Sequence, residues 1–479
     1  MSKPNPNPAV GISPEVAYLR TLPSVRSRCT TIFDHVATTG EGEYFTYNPN
    51  AEDAVADYCI KIIQRDFGTN YAAIPPHGRW RHFDVGGIPR ITTLLSEWAG
   101  VKPSSHSNSA VSAGAVTSAP VVDRIEAARR LVDLFMVSVL LDAGAGTAWK
   151  YEEKKTGLTY SRSEGLAVAS LNMFLSGRFS SNPDAEGSDC HVVTAGGLKN
   201  LSPDMLAIDL QVHPHSNPMT GLEGRTNLLI RLGEALESDT NGFFVGPDPD
   251  APPGERRPGF LVDYLARHPG VEKMIPIVEV PIPALWEVLM YGLAPIWPAS
   301  RTKLDGAAMG DVWPNSILAK LNKVELGNEK SLAPFHKLTQ WLNYSLLEAM
   351  EKTLGWRFVR GEDATGLPEY RNGGLFVDLG VLTPKASLLE ASQTKEAGAV
   401  PSLPAEHAAI VEWRALTVIL LDRQAQKIRQ KLGLREEQLD LKQLLEAATW
   451  KAGREIASEK RGETGGGPPI NVLSDGTVF

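Results

Sequence analysis

The sequence predicts a mainly α-helical protein: a large helical body with a loop-rich insertion and few short strands. Three observations carry that expectation. Apolar residues recur at three- and four-residue spacing in segment after segment, the mark of one buried helical face. Residues that open helices, such as Ser13 with Pro14 behind it, stand ahead of those segments. Strand-like alternation is confined to a few short runs, and no internal repeat is visible.

In chain order, residues 1–14 form a polar, proline-rich lead expected to be disordered. The helical pattern starts at Ser13. Pro23 is expected to break it, and a second helix follows over 25–35. Residues 54–67 form an amphipathic helix. The stretch 74–90, IPPHGRWRHFDVGGIPR, gathers His77, Arg79, Trp80, Arg81, His82, Phe83 and Asp84 on a loop punctuated by Gly and Pro. Arginines beside aromatics can stack on a planar ligand and grip an anion, or can lock the loop onto the protein body; the residues favour neither. Gly86-Gly87 lacks the GxGxxG spacing of a dinucleotide site. Residues 102–120, rich in Ser, Ala and Gly, read as a linker.

A long helix is expected over 121–141, ending in DAGAGTAWKYEE. The turn delivers Trp149 and Tyr151, which suit either the wall of a base or sugar pocket or a packed aromatic corner. Glu164 stands at the entry of the next helix, 161–181, whose first-turn N–H groups suit an anion. His213 and His215 have the spacing of a strand-borne metal pair, but proline separates them and no further ligand set follows, so no metal is assigned. Arg225 opens the helix 221–238 as a binding candidate. Residues 239–330, rich in Pro and Trp, form an insertion or lid between helical halves at 15–238 and 331–460. In the second half helices are expected over 335–350, 405–432 and 437–459, the first carrying Lys337, Gln340 and Asn343 as a polar stripe. The Gly-rich tail, 461–479, is expected to be mobile or draped on the surface.

Composition narrows the function. A formal net charge of −8 argues against a nucleic-acid partner, which demands a basic face. Cys29, Cys59 and Cys190 lie far apart with no CxxC, which suits a reducing cytosol. The most apolar run, 131–141, is too short for a bilayer and contains Asp133. With no signal or lipidation motif in view, the expectation is a cytoplasmic protein with a small-molecule substrate, no membrane partner and no cofactor.

The stretch 365–382, TGLPEYRNGGLFVDLGVL, holds a carboxylate, a phenol and a guanidinium, Glu369, Tyr370 and Arg371, between a Gly-Leu-Pro step and Gly373-Gly374. Such a stiff turn suits the working part of a pocket or a salt-bridged helical hairpin. Together with GRWRHFDVGGIPR, RSEGLAVASLNMF, GLEGRTNLLIRLGEALES, APIWP and VEWRALTVILLD, it closely resembles the fungal uracil-catabolism family, also called the uracil-regulated family, over nearly the whole chain. That resemblance implies a pyrimidine breakdown route passing through a ribosylurea-type intermediate and releasing urea.

The motif order is also similar, more remotely, to that of the queuosine-nucleotide salvage hydrolases, which have a DNA-glycosylase-like helical fold. FHKLTQWL matches their Phe-x-Lys-Arg-Ala-Gln helix at Phe335, Lys337 and Gln340, with Leu338 in place of Arg. Pro-Glu-Tyr-Arg stands where they carry Ala-Asp-Tyr-Arg, so their catalytic-type acid falls on Glu369, one methylene longer. Glu412, Arg414 and Ala415 match a following Glu-x-Arg-Ala helix. The resemblance thus implies cleavage of an N-ribosyl bond through an oxocarbenium-like transition state, with Glu369 as the carboxylate, Tyr370 as a proton donor and Asp378 as runner-up acid. Arg371 and Arg414 would position Glu369 or a 5′-phosphate, Lys337 would be a second phosphate partner, and Glu412 would orient Arg414. Two alternatives stay open: a metal-dependent amidohydrolase or ureidohydrolase of the same route, and a non-catalytic protein that binds a pyrimidine metabolite.

Overall fold

Helices carry most of the computed structural model, which describes residues 12–100, 122–146, 148–274, 277–392, 394 and 399–473. The lead over 1–11, the linker over 102–120 and the end of the tail lie outside the described residues. The helices that matter below are α1 (Pro14–Leu19), α2 (Leu22–Thr39), α3 (Glu52–Phe67), α4 (Arg124–Leu140), α5 (Arg162–Leu175), α6 (Leu222–Glu237), α7 (Lys337–Leu354), α8 (Tyr370–Asp378), α9 (Ala408–Leu432) and α10 (Trp450–Arg461). The mainly α expectation holds, and among the described residues every strand is five residues or shorter.

Pro23 opens a helix rather than breaking one. Thr21 accepts the Ser24 N–H as N-cap of α2, and Pro23 sits in the first turn, where its missing N–H has no partner to lose. The Ser13 cap of α1 is as expected, accepting from the Val16 N–H.

The chain divides into two compact units. The first comprises 1–77, 297–340 and 362–479; the second comprises 78–296 and 341–361. The expected insertion over 239–330 is therefore shared out at Trp297. In the first unit α9 is buried on nearly every side and packs on α2, α3 and α8, while α8 packs on α10. A satellite core of Val16, Leu19, Met309, Val312 and Leu332 joins α1 to the antiparallel strand pair Val312–Pro314 and Leu332–Pro334. Phe45–Tyr47 pairs antiparallel with Leu382–Pro384.

The second unit is built on α4, whose body is almost wholly buried. Its one mid-helix acid, Asp133, is fully buried, and burial pushes its carboxyl up to about 6. It is held by Arg257 and by the backbone N–H groups of Gly259 and Val193. Two small sheets complete this unit: the hairpin Lys150–Glu153 with Leu158–Ser161, and a three-stranded sheet with Ile277–Pro281 between Glu272–Met274 and Arg357–Val359. The loop 74–90 takes its locking role here. Arg79 is buried against Ser138 and Asp142, and Arg81 pairs with Glu348. Arg90 clasps Glu153 and the carbonyls of Phe83 and Val85. Among the described residues no helix is long and apolar enough to cross a membrane.

Candidate active site

The turn at 365–371 is the approach to α8, and Glu369 is the N-cap of that helix. One carboxylate oxygen accepts the Arg371 N–H at 2.7 Å and the other accepts the Asn372 N–H. Glu369 is partly exposed, yet burial of its carboxyl raises its pKa against the two backbone N–H groups and the charges of Lys337 and Arg371, which lower it. The result is a rigid carboxylate, held by backbone and more basic than an ordinary glutamate.

What holds the turn is a buried ion pair that sequence reasoning missed. Asp311 and Arg414, 0% and 2% exposed, meet through two parallel hydrogen bonds of 2.7 Å. Asp311 also accepts the Trp313 indole N–H at 2.6 Å and the backbone N–H of Lys337 at 2.9 Å. Burial alone would raise the pKa of Asp311. The Arg414 charge and these hydrogen bonds overcome it and hold the carboxyl well below the usual range. Arg414 stacks over Phe335, 4.1 Å from its centroid, and donates through Nε to the Pro368 carbonyl at 3.3 Å. One pair thus ties the start of α7, which bears Lys337, to the residue before Glu369. Gln340 closes the other side, exchanging hydrogen bonds with the backbone N–H and hydroxyl of Thr365. Immediately before Lys337, buried His336 is held at φ +46°, a strained conformation for a side-chain-bearing residue, with its ring on the Leu19 carbonyl.

Glu412 does not orient Arg414. Residues two apart on a helix point to different faces, and Glu412 instead accepts the backbone N–H groups of Glu43, Tyr44 and Phe45. Burial pushes its carboxyl up to about 7 against those donors. Asp378 lies at the far end of α8, roughly 13 Å of helix rise from Glu369. It is committed to a two-pronged pair with Arg461. Arg371 donates to the Gly466 carbonyl at 2.7 Å and lies over the ring of its neighbour Tyr370.

The described part of the tail is therefore fastened. Arg461 also holds the Gly467 carbonyl, and Asn471–Leu473 pairs in parallel with Ser402–Pro404. A Cβ on Gly374 of α8 would come within 2.9 Å of Pro469, so α8 and the tail meet only because that residue is glycine.

Nearly the whole chain is similar to known proteins. Residues 18–479 match the family model described as protein of unknown function DUF1688. The chain is 40% identical over 474 residues to uracil catabolism protein 4 of Lachancea kluyveri, covering 97% of this chain and 99% of that one. It is 39% identical over 465 residues to protein urg3 of Schizosaccharomyces pombe (strain 972), with the same two shares. The chain belongs to the DUF1688 family.

In this DUF1688 protein the remaining candidates lie in the second unit. Trp149 is fully buried, with its indole N–H on the Leu210 carbonyl, and Tyr151 is 6% exposed, accepting from Asn172. Both are buried and packed in the way of an aromatic corner. Arg225, fully buried, donates from each of its three nitrogens to the carbonyls of Leu141, Thr220 and Ala143, which fixes the turn after α4. Glu164 stands in the first turn of α5, half-buried. His213 borders an open cleft of about 310 Å³ with Glu152, Lys154, Gln211 and Asn217. Among the described residues, no three His, Cys, Asp or Glu side chains are gathered to hold a metal.

Asp311 had a faint signal: it is the lone acid in the apolar run AAMGDVW. The close approach of α10 to α8 had none. A Cβ on Gly453 would run into the Arg371 carbonyl, so Gly453→Ala should destabilise the protein by about 1–3 kcal/mol despite alanine's better helix propensity. A thermal melt showing an unchanged or higher midpoint would contradict that packing.

Proposed function

We propose that this protein is an enzyme of uracil catabolism that hydrolyses the N-ribosyl bond of ribosylurea, its 5′-phosphate or a related pyrimidine-derived ribosyl compound. What supports the reading is Glu369, whose buried carboxylate is locked by two backbone N–H groups within the electrostatic reach of Lys337. The name of the Lachancea kluyveri relative, uracil catabolism protein 4, suggests the pathway.

In the proposed step Glu369 takes a proton from water as the water oxygen bonds to the anomeric carbon, and its charge stabilises the developing cation. The anomeric C–N bond breaks with its electron pair going to nitrogen, which is protonated by Tyr370, one residue along the chain. The products are urea and ribose, or ribose 5-phosphate. No redox partner is required. Arg414 acts through Asp311 and the Pro368 carbonyl, as a positioning residue.

The testing experiment is the incubation of purified full-length protein with synthetic ribosylurea, with urea measured against time. Accumulation of urea and free ribose in equal amounts is expected; urea held at the level of the uncatalysed control would sink the reading. Since burial raises the Glu369 pKa, the rate should fall on the acid side at a pH above the ordinary glutamate range of about 4.3. The carboxylate is the working form, so activity is present above its folded pKa and lost as pH falls through it. An acid limb at or below the ordinary value would contradict the burial of that carboxyl.

A further inference from the structure

The chain that follows α10 turns back along α8, the helix capped by Glu369. It reverses through Gly465 and Gly466, both in the left-handed region at φ +77° and +64°. The Gly466 carbonyl then accepts from Arg371 Nη1 at 2.7 Å, beside the first turn of α8. Arg461, at the end of α10, holds the Gly467 carbonyl at 2.8 Å and also the carboxylate of Asp378, the last residue of α8. Pro469 lies against Gly374 in the middle of the helix. Ile470 is fully buried. Beyond it Asn471 fastens the closing strand, with its backbone N–H on the Pro401 carbonyl and its side-chain amide on the Ser402 hydroxyl, both at 2.8 Å. A terminal segment is ordered only where something ties it down. Here the ties fall on α8, on the end of α10 and on the strand ahead of α9.

Arg371 connects this segment to the chemistry. Its side chain is 5% exposed, and its guanidinium lies 5.2 Å from the centroid of the Tyr370 ring while donating to Gly466. Its backbone N–H is one of the two that hold the Glu369 carboxylate. Its backbone carbonyl is approached by α10 at Gly453, where a Cβ would run into it. The residue that follows Glu369 and Tyr370 is thus clamped twice, through its main chain by α10 and through its side chain by the tail. With nine residues, α8 is too short to keep its first turn closed without such support.

We propose that the tail over 465–473 is a positioning strap for the candidate catalytic turn: through the Gly466 carbonyl it fixes Arg371, and with Arg371 the N–H that holds Glu369 and the ring of Tyr370. Arg371 is a positioning residue in this arrangement. The strap stands on the geometry; the chemistry that it serves rests on the proposed hydrolase.

The test is hydrogen exchange, read by mass spectrometry, on the full-length protein and on Ile470→Asp, which places a charge where the strap is buried. Amide exchange over 370–378 should quicken about tenfold or more, with exchange over 78–296 unchanged. Unchanged exchange over 370–378 would overturn the proposal, as would an equal quickening throughout the chain. Should Ile470→Asp fail to fold, Arg371→Ala and Arg371→Lys decide. The alanine variant should show the same local quickening, and the lysine variant, which keeps a donor for the Gly466 carbonyl, should recover most of it. Equal exchange in both variants would overturn the strap. With ribosylurea as substrate, releasing the strap should lower kcat about tenfold or more and leave KM within about twofold. A loss carried by KM alone would overturn the positioning role. Exchange is read without turnover, so an unsubstituted protein that releases no urea would sink the hydrolase reading and leave the strap to be decided by exchange.

Discussion

Glu369→Gln is expected to slow ribosyl-bond hydrolysis by a factor of about 10² to 10⁴ while leaving the fold intact. Glutamine has nearly the same shape, and its one carbonyl oxygen can still accept from the Arg371 or Asn372 N–H, so the helix cap is halved, not lost. The cost in stability should stay at or below about 1 kcal/mol. What disappears is the negative charge and the basic site that would accept a proton from water. Initial rates of urea release and a denaturant melt on the same preparation separate the two effects. Activity within a few-fold of the unsubstituted protein would reduce Glu369 to a helix cap and nothing more. A large rate loss that tracks a large stability loss would assign it to structure.

Arg414→Leu should cost about 3–5 kcal/mol of stability, the largest single effect expected in the first unit. The reason is the partner left behind. Asp311 would remain fully buried with its charge uncompensated, holding only the Trp313 and Lys337 N–H groups. Removing both members relieves that penalty, so the pair Asp311→Leu with Arg414→Leu should be less destabilising than the sum of the two, with a positive coupling on the order of 1–3 kcal/mol. Unfolding in urea measures all four corners of the cycle; strict additivity would contradict the bidentate geometry. The double substitution should still impair hydrolysis, because the Pro368 carbonyl loses its Arg414 donor and the turn before Glu369 its anchor.

Much of this was legible in the sequence where one helix explains itself. Ser13 with Pro14, the amphipathic stretch of α3 and the apolar body of α9 each announce their structure within a dozen or so residues, because period and caps are local properties. The turn before α8 was legible too, from the Gly-Leu-Pro step and Gly373-Gly374 that bracket Glu369. Partners were not. Arg414 reaches back to Asp311, 103 residues earlier, and Glu412 reaches the backbone of 43–45, some 370 residues away. Sequence proximity suggested instead that Glu412 and Arg414 serve each other, which the turn of a helix forbids. Trp149 and Arg225 misled for a related reason: an aromatic or a guanidinium near a loop has the same residue type whether it faces a ligand or a backbone carbonyl.

The division of the first unit into three stretches of chain has a consequence for how the protein is made. Its first stretch, 1–77, leaves the ribosome carrying the apolar faces of α2 and α3, which in the finished molecule are covered by α9. More than three hundred residues separate α3 from α9. The second unit is almost continuous and can close much earlier during synthesis. Until α9 emerges, the leading helices wait with bare surfaces, the condition that recruits holding chaperones and invites aggregation. Synthesis that pauses late in the message would therefore endanger the first unit far more than the second, and slowing the ribosome over 297–407 would lengthen that vulnerable interval.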